Sequence, residues 1–159
     1  MIGLLQRVTE AAVSVDGEEI ARIGPGLVVL VAVERGDDES TAERLLDRLL
    51  SYRVFGDAEG RMNLSLADTA GALLLVPQFT LAADTAKGLR PGFSRAAPPA
   101  DGERLFGQLV RRAKAHFPAT QAGRFGAHMR VFLVNDGPVT FWLRVPGRGE
   151  GDAGIGVSS

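Results

Sequence analysis

The sequence lacks cysteine altogether and has one tryptophan and one tyrosine among its 159 residues. Without cysteine there can be no disulfide, no thiolate nucleophile and no zinc site with sulfur ligands. The 18 basic and 19 acidic side chains give a formal net charge of −1. A broad cationic surface for duplex DNA is therefore not expected, and any contact with RNA should be short.

Long apolar runs are missing as well. No stretch of about 18 uncharged apolar residues occurs, and the start of the chain does not have the basic and then apolar segments of a secretory leader. We therefore expect an unprocessed cytoplasmic protein with no membrane partner. We predict one domain over residues 1–145. The glycine-rich residues 146–159 have too little apolar content to pack and are predicted to form a flexible tail.

Alternating or continuous apolar runs predict the strands. Asp16 and Gly17 form a two-residue hairpin signal between two early runs. The unbroken run at 27–33 is typical of a strand buried on both faces, and a second such run ends at Pro77. The predicted strands are 3–8, 11–15, 18–23, 27–33, 62–66, 72–76, 129–134 and 139–145.

Helical spacing of apolar residues occurs twice. The first helix is predicted over 40–52, with Ser40 and Glu43 as a capping box, and the second begins at an Asp101 cap and ends at Pro118. Strands outnumber helices, and each helix follows a strand. We therefore predict an α/β fold with a mixed sheet and two main helices packed on one side.

The usual catalytic side chains are scarce. The two histidines, His116 and His128, lack metal-ligand spacing, and Ser65 and Ser94 lack the glycine-flanked turn of a serine nucleophile. The acidic run at 34–39 precedes a helix and is interpreted as a solvated helix start rather than a metal site. We predict no metal and no cofactor.

Two segments remain as candidates for a functional site. The run Pro77-Gln78-Phe79-Thr80-Leu81 follows a buried strand, and open α/β sheets commonly place sites at the carboxyl ends of strands. Gly137-Pro138 separates two apolar runs, although proline cannot donate to a strand ladder and glycine weakens one. A Gly-Pro bond can be cis at a cost of about 0.5–1 kcal/mol. This pair predicts a rigid backbone element that serves something other than the sheet.

Several motifs occur together in a fixed order. They are Gln78-Phe79-Thr80-Leu81-Ala82-Ala83-Asp84, Arg90-Pro91-x-Phe93-Ser94, Gly123-Arg124-Phe125 and Asn135-Asp136-Gly137-Pro138-Val139-Thr140-Phe141, with the opening Met-Ile-x-Leu-x-Gln-Arg-Val and Asp57-Ala58-Glu59-Gly60-x-Met62-Asn63. From about residue 1 to 145, the chain resembles bacterial D-aminoacyl-tRNA deacylases. It departs from that pattern at Pro77, where the family usually has serine, and in its glycine-rich tail.

The resemblance implies a partial barrel that forms a homodimer, with two active sites at the subunit interface. The substrate would be the 3′ end of an aminoacyl-tRNA, and the reaction would hydrolyse the ester of a D-amino acid, or of glycine mischarged on an alanine tRNA. Gly137 and Pro138, joined by a cis bond, would enter the partner's pocket. Their fixed carbonyl groups would leave no room for an L side chain.

The resemblance also suggests roles for other residues. Phe79 and Phe125 would flank the terminal adenine, since the ends of single-stranded RNA are commonly bound by aromatic stacking. Gln78 would hold the pocket, and Arg7 would brace the Gly-Pro pair or the ester. The other predicted substrate-binding residues are Met129 and three members of the basic loop 82–100, Lys87, Arg90 and Arg95, which would contact phosphates or remain solvated loop charges.

Two mechanisms stay open. Thr80 is a nucleophile by residue type, but its motif supplies no base to activate the hydroxyl. We favour a route in which the 2′-hydroxyl of the terminal ribose assists the attacking water, while backbone N–H groups around Phe79 and Thr80 stabilise the oxyanion. The alternative function is a non-catalytic RNA-binding or dimeric structural module that has lost activity through Pro77.

Overall fold

The computed structural model describes residues 1–148. Within this range the strands are β1 (Ile2–Val15), β2 (Glu18–Ile23), β3 (Gly26–Ala32), β4 (Phe55–Gly56), β5 (Met62–Leu64), β6 (Ala72–Pro77), β7 (Thr120–Ala122) and β8 (Met129–Arg144). The α-helices are α1 (Glu39–Ser51) and α2 (Pro99–His116), and two 3₁₀ turns span Leu66–Asp68 and Phe79–Ala82.

Strand β1 organises the main sheet. One edge of β1 pairs antiparallel with β8 along almost its whole length, while the other edge pairs first with β3 and then with β2. Strand β6 is parallel to β3, and β7 is parallel to β6. Because two strands share one edge of β1, the sheet curls and β2 contacts β6 and β7. The predicted α/β fold, with a mixed sheet in a partial barrel, is confirmed.

Both helices cover one face of this sheet, as predicted. The main core joins Leu45 of α1 and Leu105 of α2 to Leu5, Val29 and Leu73 of the sheet. A second core of strand residues fills the opposite, curled face. Burial of a leucine contributes about 1.5–3 kcal/mol relative to exposure, so this two-sided packing is the main source of stability. Neither α-helix of residues 1–148 has the apolar length of a membrane-spanning segment.

The structure corrects the start of both helices. Asp38 rather than Ser40 caps α1, because its carboxylate accepts from the Thr41 N–H at 2.9 Å and Thr41 Oγ1 accepts from the Asp38 N–H at 3.3 Å. The Ser40 hydroxyl and the Thr41 N–H hold the pKa of Asp38 at about 2. Helix α2 begins at Pro99, before the predicted Asp101 cap. Proline suits the first helical turn, where an N–H has no helical partner.

The two C-terminal runs do not form a pair of strands with each other. The residues predicted as 129–134 and 139–145 belong to β8, except for Val145, and both halves of β8 pair with β1. Gln6 is opposite Thr140 and Val8 is opposite Asn135. The Gly-Pro segment therefore leaves the ladder between two halves of the same strand.

The prediction of a solvated acidic run is wrong for Glu34 and Asp37. Glu34 is 4% exposed and accepts from Arg144 Nε at 2.7 Å and from Arg95 Nη2 at 3.1 Å. Asp37 accepts from the Met1 ammonium at 2.6 Å. Burial opposes ionisation of Glu34, but the Arg144 bond and the Met1 charge outweigh it and lower the pKa of Glu34. At Asp37 burial prevails and raises the pKa.

The first residues of the predicted tail contact the domain. Arg44 Nη2 donates to the Pro146 carbonyl oxygen at 2.7 Å. Gly147 approaches Gly36 so closely that a Cβ atom on Gly147 would lie 2.4 Å from the Gly36 carbonyl oxygen. Residues 149–159 of the predicted tail lie outside the described residues, and the boundary at residue 145 stays a prediction.

We expect Glu34→Gln to lower the free energy of unfolding at pH 7 by about 1–3 kcal/mol, because Arg144 and the Met1 ammonium would lose a buried charged acceptor. The folded-state pKa of Glu34 is lowered from 4.5, so its stabilisation is present above that value and is lost as the pH falls through the folded pKa. Urea unfolding from pH 7 to pH 3 should show a steeper acid decline in the wild type than in the variant.

Asp37 has a raised pKa and contributes with the opposite sign. Because the charge of Glu34 helps to raise the pKa of Asp37, this opposing contribution should be smaller in Glu34→Gln than in the wild type. Glu18→Gln, at an exposed position of β2, is the matched control and should retain the wild-type stability and acid decline. Parallel acid declines for wild type and Glu34→Gln would contradict the role given to Glu34.

Candidate active site

A groove of about 500 Å³ opens where β3 and β6 end. These strands are parallel, so their carboxyl ends meet at one edge of the sheet, the usual place for a site in an α/β protein. The start of α2 and the segment that leads into β8 form the other walls. The groove brings together six of the residues discussed from the sequence: Pro77, Gln78, Phe79, Phe125, His128 and Met129.

Two glycines create the space in this groove. A Cβ atom on Gly102 of α2 would lie 3.2 Å from the Phe125 ring, and one on Gly123 would lie 2.8 Å from Met129 Sδ. Phe125 also packs against Phe106, with ring centroids 6.5 Å apart. The aromatic and thioether walls of the groove are thus held by close packing against the backbone of neighbouring segments.

Gln78 and Phe79 line the groove, and Thr80 follows them in the 3₁₀ turn Phe79–Ala82. The Gln78 side-chain amide donates to Thr80 Oγ1, and the 3₁₀ turn that starts at Phe79 makes its first bond from the Leu81 N–H to the Gln78 carbonyl, at 3.2 Å. The first N–H groups of a helical turn have no partner within that turn. The N–H groups of Phe79 and Thr80 are therefore the donors that this turn presents.

Thr80 itself is not arranged as an activated nucleophile. Its side chain is not part of the groove wall, and among the side-chain hydrogen bonds of residues 1–148 its hydroxyl is bound by the Gln78 amide. An amide nitrogen donates a proton and cannot accept one, so it cannot act as the base that a threonine nucleophile needs.

Phe79 is 59% exposed at the mouth of the groove. It contacts Phe93 of the basic loop, with ring centroids 5.1 Å apart. A large exposed aromatic side chain beside an apolar groove offers a stacking surface for a planar ligand.

Pro77 occupies the last position of β6 that pairs with β3. The following N–H, of Gln78, donates to Val31 O at 2.7 Å, whereas on the other edge the Gly123 N–H donates to Leu75 O at 2.8 Å. Successive residues of a strand direct their N–H groups to opposite edges. The nitrogen of Pro77 therefore faces β7, where a Cβ atom on Gly123 would lie 3.3 Å from Pro77 Cδ. Because proline cannot donate, the β6–β7 ladder ends at the bond from the Gly123 N–H, and at most one terminal bond is lost.

Gly137 and Pro138 lie apart from this groove in the same chain. Their peptide bond is cis, as the resemblance implied, and Gly137 has φ +132°. Both residues line a second groove, of about 510 Å³, together with Arg7, Phe55 and Met62. The two grooves have no lining residue in common.

Arg7 braces the segment that carries Gly137, as predicted. Its Nε donates to the Asp136 carbonyl at 3.2 Å and lies 3.3 Å from Asp136 Oδ2, while Nη1 donates to the Val54 carbonyl at 2.7 Å. The sequence reasoning missed two further contacts of this segment, those of Asn135 and Thr140. Both residues belong to the motif but carry no charge that would have drawn attention to them.

The three basic residues of the loop are placed differently. Lys87 and Arg90 are exposed on a loop that is closed by two backbone bonds between Asp84 and Gly92, at 2.7 and 3.0 Å. Arg95 is engaged with Glu34 and lies outside the groove wall. The described residues contain no cluster of three or more side chains that could hold a metal ion.

These features define an α/β protein with an aromatic-lined groove, backbone donors at its edge and a separate, braced Gly-Pro segment. Solved structures share the fold. One, described as c-Myc DNA Unwinding Element Binding Protein, is 35% identical with a TM-score of 0.88, over 92% of this chain and 100% of that one. Another, of a probable eukaryotic D-amino acid tRNA deacylase, has a TM-score of 0.76 at 17% identity, over 89% and 97%, and shows the common fold alone.

Sequence comparison gives the family. The model of the D-Tyr-tRNA(Tyr) deacylase family matches residues 4–144. The chain is 67% identical over 146 residues to a D-aminoacyl-tRNA deacylase of Nitrosococcus oceani, which covers 92% of this chain and 94% of that protein. It is 62% identical to one of Thioalkalivibrio sulfidiphilus, over 92% and 98%. The chain therefore belongs to the D-Tyr-tRNA(Tyr) deacylase family, and the resemblance stated from its motifs is confirmed.

Proposed function

We propose that this protein hydrolyses the ester bond of D-aminoacyl-tRNA and releases the free D-amino acid and tRNA. The observation that carries this function is the 67% identity to a D-aminoacyl-tRNA deacylase over 92% of the chain. Glycine mischarged on an alanine tRNA is a second substrate, because an amino acid without a side chain offers nothing for a steric filter to reject. The reaction belongs to the cytoplasm, where aminoacyl-tRNA is used.

The groove at the ends of β3 and β6 is the site that receives the 3′-terminal adenosine. Its apolar lining and volume of about 500 Å³ suit a nucleoside. Phe79 and Phe125 flank the adenine, and Met129, which packs against Gly123, forms part of the groove wall. Gln78 fixes the turn that carries the N–H groups of Phe79 and Thr80.

These N–H groups stabilise the oxyanion that forms when water attacks the ester carbonyl. The 2′-hydroxyl of the terminal ribose assists the water, since Thr80 has the Gln78 amide rather than a base as its partner. The tetrahedral intermediate then breaks the bond to the ribose 3′-oxygen, and the proton from water passes to that oxygen. The amino acid leaves as a carboxylic acid, which loses the second proton of the water to solvent and becomes the carboxylate.

The selector is supplied by a second copy of the chain. Within one chain, Gly137 and Pro138 line a groove that shares no residue with the adenosine groove. Strand β8, which carries them, exposes Phe132 by 52% and Trp142 by 55%, and apolar exposure of this kind is typical of an interface. In the homodimer the Gly-Pro segment of one subunit enters the groove of the other and faces the α-carbon of the amino acid.

The tRNA end is bound outside the groove by the basic loop. Lys87 and Arg90 are exposed and contact acceptor-end phosphates, which position the RNA without reading its sequence. Arg95 contributes less, because it is paired with Glu34. Because the protein has a net charge of −1, duplex DNA is not part of the proposed function.

The principal test compares the deacylation of D-Tyr-tRNA, L-Tyr-tRNA and Gly-tRNA by the purified protein. We expect the D and glycyl esters to be hydrolysed and the L ester to be slower by about 10⁴-fold, a ratio that corresponds to roughly 5.5 kcal/mol. A substrate with a 2′-deoxy terminal ribose should still bind but react far more slowly. Binding of all three tRNAs without hydrolysis would instead identify a non-catalytic RNA-binding module.

Mixed dimers test whether the selector crosses the interface. Phe79→Ala with Phe125→Ala disables the groove, whereas Gly137→Ala displaces the selector, since its Cβ would lie 2.7 Å from Val139 Cγ2. If groove and selector come from different chains, one site of the mixed dimer is wholly intact and the dimer hydrolyses D-Tyr-tRNA selectively. If they come from the same chain, the only active site has a displaced selector, and the mixed dimer accepts both enantiomers.

Pro77→Ser tests the departure from the family pattern. Because residue 77 stands at the end of the β6–β7 ladder, where proline loses at most one terminal bond, we expect the wild type to be active and the serine variant to differ by less than about threefold in kcat/KM on D-Tyr-tRNA. Leu75→Ser, a buried polar substitution in the same strand, serves as the contrasting variant and should lower stability. An inactive wild type that serine rescues would contradict this interpretation.

A further inference from the structure

The Gly-Pro loop, residues Asp136–Val139, projects from the β1–β8 ladder between two paired positions. On β1, Gln6 is paired with Thr140 of β8 and Val8 is paired with Asn135. The extra residues of β8 have no opposite residues on β1 other than Arg7. Asn135 and Thr140 are therefore the two residues that flank the loop.

The side chains of Asn135 and Thr140 are hydrogen-bonded to each other, and Asn135 is also hydrogen-bonded to the loop. Asn135 Oδ1 accepts from the Val139 N–H at 2.7 Å, and Asn135 Nδ2 donates to Thr140 Oγ1 at 2.8 Å. Gln6 Nε2, from the neighbouring strand, donates to the same oxygen at 3.2 Å. Both ends of the Asn135 carboxamide are thus engaged, and this fixes its orientation.

Gly137 and Pro138 have no polar side chain, and Pro138 has no N–H, so neither residue can hold the loop through a side-chain hydrogen bond. Among the side-chain hydrogen bonds and ion pairs of residues 1–148, Arg7 reaches Asp136 and Asn135 reaches Val139. The loop has one brace on each side, and the Asn135 brace is tied to β1 through Thr140 and Gln6.

We propose that Asn135 and Thr140, with Gln6, form a positioning unit that fixes the Gly-Pro loop for the rejection of L-aminoacyl esters. This inference rests on the proposed function and adds to it the residues that set its stereospecificity. They touch neither the ester nor the adenosine in their own chain and act only through the position of Gly137 and Pro138. Loosening them should therefore affect the ratio of L to D hydrolysis more than the D reaction itself.

The test compares Thr140→Val, which removes the hydroxyl at nearly constant volume, with Thr140→Ser, which keeps it. We expect Thr140→Val and Asn135→Ala each to raise the L-to-D ratio of kcat/KM on Tyr-tRNA by about tenfold or more, since a displacement of about 1 Å in a positioning group can cost about 100-fold. Thr140→Ser should stay within about twofold of the wild-type ratio. Gln121→Ala, at an exposed carboxamide on β7, is the control and should change neither rate.

The double variant Asn135→Ala with Thr140→Val shows whether the two act as one unit. If they do, its ratio should not exceed that of the more affected single variant, because the same bond is lost in both. Thermal melting confirms that each protein is folded, and if Asn135→Ala does not fold, the Thr140 pair decides alone.

An equal fall of both rates with an unchanged ratio is the result of a merely structural role and would overturn this inference. A D-selective wild type whose ratio is unaffected by Thr140→Val overturns it while the proposed function stands. A wild type with no activity on D-Tyr-tRNA overturns both.

Discussion

The pairing of β1 with β8 is the constraint on which the rest of this structure depends. It extends from Ile2 opposite Arg144 to Val15 opposite Met129, and it resumes on both sides of the Gly-Pro loop. The ladder is regular from Ile2 to Gln6 and from Glu10 to Val15, and its register shifts on both sides of Val8. The loop therefore leaves the sheet between two regularly paired segments. The same strand β1 supplies Gln6 and Arg7 to hold that loop, so the sheet and the Gly-Pro loop share one framework.

Two glycines, which have no side chain, largely determine the shape of the groove. Gly102 and Gly123 let the backbone approach Phe125 and Met129, and this approach opens the groove. Among the described residues that line the groove, His128 is the one titratable side chain, and the short turn beside the groove presents N–H donors. For the proposed reaction, this arrangement favours a mechanism that holds the substrate's own groups in place, as in assistance by the terminal ribose. The proposed specificity then depends on backbone positions, which point substitutions alter only indirectly.

Local patterns predicted much of the fold. Apolar periodicity located both helices and most of the strands but missed the short strands β4 and β7, and the conflict between Gly137-Pro138 and strand chemistry singled out a segment that leaves the ladder. The rule that sites lie at the carboxyl ends of strands pointed to Gln78, whereas Phe125 was assigned to the site by the family resemblance. The Glu34 cluster was not predictable, because Glu34 and Arg144 are 110 residues apart and an acidic run before a helix has a simpler local explanation. The role of Asn135 was hidden for a related reason: its hydrogen bonds exist only once β8 has paired with β1.

Pro77 shows which backbone features the site requires at the end of β6. The site needs β6 to end where it does and the Gln78 N–H to reach Val31, since that bond sets the direction of the turn that follows. Residue 77 meets both needs through its backbone, and its own nitrogen stands at the last position of the β6–β7 ladder, where at most one terminal bond is lost. A residue that cannot donate is therefore compatible with the neighbouring turn. The proposed function extends this reasoning: it assigns the chemistry to the backbone of residues 78–80 and the selection to a braced loop, and in both places the side chains act by holding the backbone still.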